Sequence, residues 1–391
     1  MGNRLELHTN PSPKRVPEGS ALSGIWRHQP GIQYAPNAER SPPELSDDHG
    51  RGLGARSASG AFPRDYQLPA ELHALVLRAA APSVGRSVAA ALWDHLAIVA
   101  ILLAAILVYE GLPLALALPL NAVALVTAAR FHRGLECLVH EASHYNWSRR
   151  RRKLNDVAAD LLAALPCFSR VSRYRPQHMV HHAYEGAPID PDRVRYERLA
   201  IEAIDRTSPA RFARGVATRI LPYAWGWWRA IGTDPRTFAL GALWQGVFVF
   251  APAAAIGGLQ LALFLVVNWL AAFFLLLPVI RFVGEAGEHL YLGSGTLLSS
   301  TINNEGAVHR LLFHPHNDGY HATHHLWPGV PHHRLRALHA RLIRLDPSLA
   351  GRILRRATLL QDPAPTPSPA DAGAVPQREP SRQPLARWRR R

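Results

Sequence analysis

Four long apolar runs, arranged in two close pairs, set the strongest limit on how this chain can fold. The runs cover about residues 96–112, 113–130, 238–257 and 259–280. Each has about the 17 to 25 residues that a helix needs to cross a bilayer, where every backbone polar group must be paired internally. The link within each pair is too short for anything but a tight turn, so each pair predicts a helical hairpin.

The distribution of arginine predicts how these helices are oriented. The links near residues 110–113 and 256–260 contain neither lysine nor arginine, whereas the segments at 51–86, 130–235 and 310–356 contain many. Positive residues concentrate on the cytoplasmic side of membrane helices. We therefore expect a multi-pass integral membrane protein with both termini and the long middle segment in the cytoplasm.

Both ends of the chain differ in composition from its centre. Residues 1–65 and 359–391 are rich in proline, serine, glycine and charge, without a sustained apolar period. Such segments bury too little apolar surface to fold, so both are predicted to be disordered tails. The predicted fold class is an all-α integral membrane domain at 66–358, with four transmembrane helices in two hairpins and a cytosolic helical cap.

The formal net charge of +15 suggests a nucleic-acid partner, but we expect none. The densest basic run, Arg149–Arg152, has no nucleic-acid recognition motif around it, and arginine at the cytoplasmic ends of membrane helices explains the charge. Cys137 and Cys167 are too few to ligate an iron–sulfur cluster.

Eight histidines form three clusters with spacings of three and four residues. They are His140 and His144, then His178, His181 and His182, then His321, His324 and His325. Residues at i, i+3 and i+4 share one face of a helix, so each cluster can direct its rings at one point. Imidazole is the commonest metal ligand among side chains, and three such clusters predict a polynuclear metal site. An even number of predicted crossings separates the clusters, which places all of them on the cytoplasmic face.

The first cluster admits another interpretation. His140-Glu141-Ala142-Ser143-His144 matches H-E-x-x-H, the signature of zinc metalloproteases in which the glutamate is the general base. A zinc protease needs only two such histidines and one further ligand, so it would leave the other two clusters unused. Glu141 is otherwise a carboxylate that orients an imidazole ligand. A metal-binding membrane protein without catalytic activity is a third possibility.

The three clusters, interleaved with two predicted hairpins, resemble the membrane fatty acid desaturase and hydroxylase superfamily. The sequences are H-E-A-S-H, H-M-V-H-H and H-A-T-H-H, and the segment from Asn317 to Pro331 is similar to that family's last histidine box. The resemblance covers about residues 90–345. It implies that these histidines hold two iron ions, a non-haem diiron centre that activates dioxygen at the cytosolic face of the membrane.

The resemblance also implies a ninth ligand between the last predicted span and the third cluster. His289, which follows Glu288, is our choice, and Asn317 either ligates through water or is a turn residue before Asp318. Asp190 either holds the ring N–H of a ligand or forms an Asx turn with Pro191. We expect the remaining nearby histidines to be solvated or to support the ligands; these are His309, His314, His316, His332, His333 and His339.

The reaction that the resemblance implies is oxidation of an unactivated C–H bond, most simply the desaturation of fatty acyl chains of membrane lipids. A hydroxylase or ketolase of the same superfamily, acting on a lipid or a carotenoid, is the alternative. The chain carries no haem-binding motif and no dinucleotide-binding glycine pattern. We therefore expect a separate electron donor, ferredoxin-like or similar.

Overall fold

The chain is mostly helical over residues 60–365, the part that the computed structural model describes. Its α-helices are α1 His73–Ala79, α2 Val84–Gly111, α3 Leu114–Ser143, α4 Arg152–Ala159, α5 Val171–Ala183, α6 Pro191–Leu199, α7 Pro209–Gly232, α8 Pro235–Gln245, α9 Ala251–Ala271, α10 Leu277–Glu285, α11 Leu297–Ser300, α12 His321–Leu326, α13 His332–Leu345 and α14 Pro347–Ala350. Three short strands are β1 Ile302–Asn304, β2 Leu354–Arg356 and β3 Ala364–Pro365.

Three helical stretches among the described residues are long and apolar enough to cross a membrane: Val84–Gly111, Leu114–Ser143 and Pro235–Glu285. The first stretch begins before its predicted run, because Ser83 caps the start of α2. The second ends after its predicted run, because α3 continues into the first histidine cluster. Large apolar side chains such as Leu107 and Leu259 are exposed on these helices. Such exposed apolar surface is stable when it faces the hydrocarbon core of a bilayer.

The sequence predicts four spans, whereas the structure has one helical stretch of 51 residues in place of the last two. This stretch combines α8, α9 and α10 through the π-helical segments Gly246–Phe250 and Ala272–Leu276. It is broken at Gly257 and Gly258, where the backbone leaves helical geometry and Gly258 has φ of 72°. That conformation is one that glycine adopts readily, so the predicted turn between the last two spans coincides with this break.

The third histidine cluster is held by the small sheet. β1 runs parallel to β2, with Ile302 opposite Leu354, and β2 runs antiparallel to β3. Asn303, in the middle of β1 and fully buried, accepts a hydrogen bond at its side-chain oxygen from the backbone N–H of Ala322 at 2.9 Å. It thereby satisfies a free N–H in the first turn of α12, the helix that carries the cluster.

Residues next to both predicted domain boundaries contact the helical domain. Phe62 N–H donates to the carbonyl of Glu185 at 2.8 Å, and Leu359 packs against the main apolar core. Residues on the outer side of both predicted boundaries, at 66 and 358, thus contact the helical domain. The rest of the two predicted tails, residues 1–59 and 366–391, lies outside the described residues.

Gly134 on α3 packs directly against a buried side chain of α2. A Cβ atom there would lie 2.4 Å from Oδ2 of Asp94, which is fully buried on α2. We therefore expect Gly134→Ala to destabilise the protein by about 1 to 3 kcal/mol, the range for overpacking a close-packed interior. Thermal unfolding in detergent measures this. Gly85→Ala on α2 is the matched control, because nothing lies within 4 Å of its Cβ position; equal melting temperatures for the two variants would contradict the prediction.

Candidate metal centre

Local structure positions each histidine cluster differently. His140 lies in the last turn of α3 and His144 directly follows that helix, so the first cluster belongs to a helix that could cross the membrane rather than to a separate cap. The second cluster lies in the last two turns of α5, and the third forms most of the short helix α12. His289 is in none of these helices; an isolated antiparallel bridge to Thr301 fixes its backbone.

The fold brings all nine histidines that the sequence singled out into two groups, in each of which one ligand atom per residue lies within 4.8 Å of the others. Group A contains His140, His144, His178, His182 and His324. Group B contains His181, His289, His321 and His325. The second and third clusters each contribute to both groups, because neighbouring histidines on one helix diverge toward different points. A single cluster therefore does not correspond to a single metal ion.

The Nε2 atoms of the rings converge within each group. In group A, Nε2 of His324 lies 2.9 Å from that of His140 and 3.2 Å from that of His182. In group B, Nε2 of His181 lies 3.2 Å from that of His325. Nitrogen ligands at right angles about 2.1 Å from a metal ion are about 3 Å apart, so these separations suit shared coordination.

Carboxylates hold the opposite nitrogens of several rings. Nδ1 of His140 lies 3.1 Å from Asp318, and Nδ1 of His181 lies 2.9 Å from Asp190. Nδ1 of His325 lies 2.8 Å from Glu185, which is also 3.7 Å from Nδ1 of His289. A carboxylate behind the ring is the usual support of a metal-ligating histidine, because it fixes the tautomer with Nε2 free.

This arrangement favours a positive charge between two rings of group B. His181 and His325 each direct Nδ1 at a carboxylate, so their Nε2 lone pairs face each other unless a proton or a metal ion lies between them. Burial opposes protonation of His181, but Asp192 and Asp190 outweigh it and raise its pKa to about 9. A cation bound here would replace that proton.

Seven further imidazoles are held in the neutral state that a metal ion needs. Burial, together with repulsion from neighbouring histidines, lowers the pKa well below its ordinary value at His144, His178, His182, His289, His324 and His325. Burial lowers the pKa of His321 to about 4. Asp318 is ionised, because its hydrogen bond with His140 and the charge of Arg133 outweigh burial and hold its pKa well below the ordinary value.

Asp190 performs both roles that the sequence left open. Its Oδ1 accepts from the N–H of Asp192 at 2.9 Å, as in an Asx turn that begins α6, while the same atom faces His181. Its second oxygen accepts from the N–H of Gly186 at 2.9 Å. The turn therefore fixes the carboxylate that orients the imidazole.

Glu141 and Asn317 lie beside the centre without belonging to either group. The Glu141 carboxylate accepts hydrogen bonds from the backbone N–H of His332 at 2.7 Å and from Nδ2 of Asn146 at 3.4 Å. The prediction was that it would instead orient an imidazole. Asn317 donates from Nδ2 to the carbonyl of His332 at 3.0 Å. Both side chains thus hold the backbone at the start of α13.

A continuous chain of alternating charges connects the two groups. It runs through Asp318, Arg133, Glu136, Arg281, Glu285, Arg195 and Asp192, with successive separations of 3.0, 3.6, 2.9, 2.6, 3.4 and 2.9 Å. Asp318 faces group A, and Asp192 lies 3.9 Å from His181 of group B. Buried charges persist only when paired, so this chain fixes α3, α6 and α10 relative to each other around the histidines.

Sequence reasoning missed several supporting residues. Tyr174 lies four residues before His178 on the same helix face, and its hydroxyl is 3.3 Å from Nδ1 of that histidine. The spacing of four residues on one helix could have predicted this contact. Glu185 and Asp318 gave no such signal, because their partners His325 and His140 are 140 and 178 residues away along the chain.

Comparison with known proteins agrees with this geometry. The sequence profile described as "fatty acid desaturase" matches residues 114–353, more than half of the chain, and this range contains all nine histidines. A protein of Bradyrhizobium elkanii named dihydrorhizobitoxine desaturase is 29% identical over 228 residues. That match covers 54% of this chain and 64% of the relative, so the chain spans less than two thirds of the relative's length. With two groups of converging imidazoles inside the matched region, the chain belongs to the fatty acid desaturase family.

Proposed function

We propose that this protein is a membrane oxidoreductase that uses two non-haem iron ions and dioxygen to introduce double bonds into fatty acyl chains of lipids. The observation that carries the proposal is the convergence of nine imidazoles as two adjacent groups, with carboxylates behind the rings. Membership of the desaturase family supports the same reaction class.

The donor set fits iron. Group A would hold one ion through its five histidines and group B the other through its four, with the supporting carboxylates of Asp318, Asp190 and Glu185. An all-imidazole site suits a redox-active transition metal, and fewer than six protein ligands per ion leave positions free for dioxygen. Bound iron would supply the oxidising chemistry; the protein fixes the orientation of the rings through the carboxylates behind them.

An apolar cavity supports a hydrophobic substrate. It has a volume of about 310 Å³ and is lined mainly by aromatic and aliphatic side chains of α8, α9 and the π-helical segments beside them. Phe168 forms part of its wall and lies three residues before α5, the helix that carries the second cluster. Holding a chain against these walls would select which C–H bond faces the metal ions.

The reaction needs partners that the chain does not carry. Desaturation consumes dioxygen, two electrons and two protons besides the two hydrogen atoms taken from the chain, and yields one double bond and two water molecules. We propose an external ferredoxin-like donor for the electrons. Arg149–Arg152 supplies a basic surface for an acidic carrier, a contact that would weaken with rising salt.

We further propose the topology of four crossings in two hairpins, with both termini and the metal centre in the cytoplasm. The break at Gly257 and Gly258 divides the 51-residue stretch into two parts, each long enough to cross a bilayer. The arginine distribution along the sequence supports the orientation.

The zinc protease interpretation finds no support at Glu141. Its carboxylate accepts from the backbone of His332, and His140 and His144 lie in a group with three further histidines. A hydroxylase or ketolase would use the same ligands. The similarity to a protein named as a desaturase favours desaturation over these alternatives.

The test is metal analysis and lipid analysis of the chain expressed in a host membrane, grown with and without oxygen. Two iron ions per chain with oxygen-dependent unsaturated acyl chains are expected. Hydroxylated or oxidised products would instead assign the alternative reaction. One zinc ion per chain with an unchanged lipid profile would contradict the proposal, and an empty-vector membrane is the control.

A further inference from the structure

We propose that Gln245 makes the apolar cavity specific for a chain that carries a hydrogen-bond donor, a hydroxyl or an N–H group, along its otherwise apolar length. The inference rests on the proposed function, because it takes the occupant of the cavity to be the substrate of that reaction. It narrows the substrate class from acyl chains in general to chains with a polar substituent.

Gln245 contributes the single polar side chain of the cavity wall, among the residues that the structure describes. The other lining residues are apolar or glycine: Phe168, Phe238, Ala242, Gly246, Phe250, Val266, Leu270 and Phe274. Small-molecule sites are commonly apolar pockets in which a few placed polar groups fix orientation and specificity. The chemistry of Gln245 therefore decides what the cavity accepts besides hydrocarbon.

The amide of Gln245 is fixed with its oxygen free. Gln245 is 4% exposed, and its Nε2 donates to the carbonyl of Pro166 at 3.3 Å. A carbonyl only accepts, so this contact assigns which amide atom is Nε2 and which is Oε1. Oε1 is buried and has no hydrogen-bond partner among residues 60–365. A buried acceptor without a partner costs free energy, and a donor inside the cavity would supply the missing bond.

Close packing of α8 confines this side chain. A Cβ atom on Gly241, one turn before Gln245, would lie 3.0 Å from the carbonyl oxygen of Leu165 and 2.7 Å from the ring of Phe168. The helix therefore lies directly against the segment that contains Pro166. The cavity is the open space beside the confined amide, so a group that fills the cavity is the partner within reach of Oε1.

The cavity is built partly from irregular helix. Gln245 is the last residue of α8, and the π-helical segment Gly246–Phe250 follows directly. Both end residues of this segment line the cavity, and so does Phe274 from the π-helical segment Ala272–Leu276. π-Helical segments occur frequently at functional sites. Two of them at one cavity support a binding role rather than a packing defect.

Ring contacts relate the cavity to the metal centre. From Phe273, the ring centroids of Phe168 and Phe274 in the cavity wall lie at 5.6 and 4.9 Å. The ring of Phe273 lies 5.6 Å from that of His132. His132 precedes His140 by eight residues on α3, about 12 Å along a helix. Gln245 therefore meets a part of the substrate that is remote from the C–H bond at the metal ions.

Competition binding to the full-length protein, in nanodiscs of saturated phosphatidylcholine, tests this recognition without turnover. The probes are octadecanoic acid and two sets of derivatives that carry a hydroxyl or a ketone at successive carbons. A hydroxyl donates to Oε1, whereas a ketone in the same position only accepts. We expect the best hydroxy acid to bind about tenfold more tightly than its matched ketone, because the ketone leaves the buried acceptor unpaired. Equal affinities in every matched pair, or no saturable binding, would overturn the proposal.

Gln245→Leu assigns the preference to this side chain. The variant removes the acceptor at similar volume, so it should bind octadecanoic acid and lose the difference between matched hydroxy and keto acids. Asn268→Leu is the matched control, because this amide of α9 donates to the carbonyl of Phe264 and lies outside the cavity wall. It should keep the preference. A preference that survives in folded Gln245→Leu would overturn the assignment.

Gly246→Leu tests whether the chains bind in this cavity. Gly246 lines the cavity and has a helical φ of −60°, and nothing lies within 4 Å of a Cβ atom there. The larger side chain would enter the cavity without a backbone clash. Binding of every probe should weaken by about tenfold, the effect of displacing about two methylene groups. Gly232→Leu is the control, since its Cβ position is equally open but lies outside the wall. Unchanged binding in Gly246→Leu would overturn the proposal.

Turnover separates this inference from the function on which it rests. If wild-type protein forms no product in host membranes, the proposed function is wrong, and Gln245 loses its role in substrate choice whatever the binding shows. If wild-type protein forms product but binds matched hydroxy and keto acids equally, only the inference is wrong. In a host fed the best hydroxy acid and octadecanoic acid together, wild type should convert the hydroxy acid preferentially, and Gln245→Leu should lose that preference.

Discussion

Replacing His324 with alanine is expected to lower product formation by more than about 100-fold. Losing a residue that merely supports a metal ligand already costs up to about 100-fold, and His324 is itself a predicted ligand. His324 occupies a central position in group A, since its Nε2 lies within 3.2 Å of Nε2 on both His140 and His182. These rings come from α3 and α5. Removing the imidazole from α12 takes away the contribution of the third cluster to group A.

Iron content measured beside turnover shows whether the loss arises at the metal centre. We expect iron content to fall toward one ion per chain in His324→Ala, because this variant removes the central imidazole of group A and leaves all four histidines of group B in place. His309→Ala is the matched control, a buried histidine outside both groups that precedes the same cluster. It should keep both iron ions and full turnover. Two iron ions and normal product in His324→Ala would contradict the two-group interpretation.

The sequence predicted the long apolar helices and the eight clustered histidines because both depend on local patterns. Apolar length is a property of a contiguous segment, and i, i+3, i+4 spacing places side chains on one helix face whatever surrounds it. The family resemblance supplied His289, which lies alone in the sequence. In the structure, the bridge to Thr301 brings it beside His321, with Nε2 atoms 2.8 Å apart.

The division of the ligands between two groups could not be predicted from the clusters. His181 and His182 are adjacent in the sequence but point to different groups, because neighbouring residues on a helix diverge by about 100°. The sequence treated each cluster as one converging set. Which ring joins which group depends on how α3, α5 and α12 pack, and that is a tertiary property.

The supporting residues were missed for the same reason. Glu141 was expected to orient an imidazole because it lies between two histidines, yet on the helix it turns toward the start of α13. Glu185 and Asp318 do support histidines, but they reach them through the fold. His316 and His332 were expected to be solvated or supporting; the structure buries His332 and packs its ring against that of His316.

The pair of variants Asp318→Asn and Glu185→Gln is expected to weaken the two metal groups one at a time. Among the histidines of the two groups, Asp318 hydrogen-bonds only His140 of group A, and Glu185 contacts His325 and His289 of group B. Each substitution keeps the shape of the side chain and removes its charge. Loss of a carboxylate behind a ligating histidine lowers metal affinity by about 10- to 100-fold.

Iron titration against a competing chelator therefore distinguishes the groups. At a chelator concentration that leaves wild type with two iron ions, each variant should hold about one, and the double variant should hold almost none. Glu197→Gln is the control, because this exposed carboxylate pairs with Arg193 on the surface and exposed pairs contribute little. The melting temperature of the iron-free proteins shows whether Asp318→Asn also loosens its buried pair with Arg133. If both single variants lost both ions together at unchanged melting temperature, the nine histidines would form one cooperative site, and the assignment of separate carboxylate supports to two groups would be wrong.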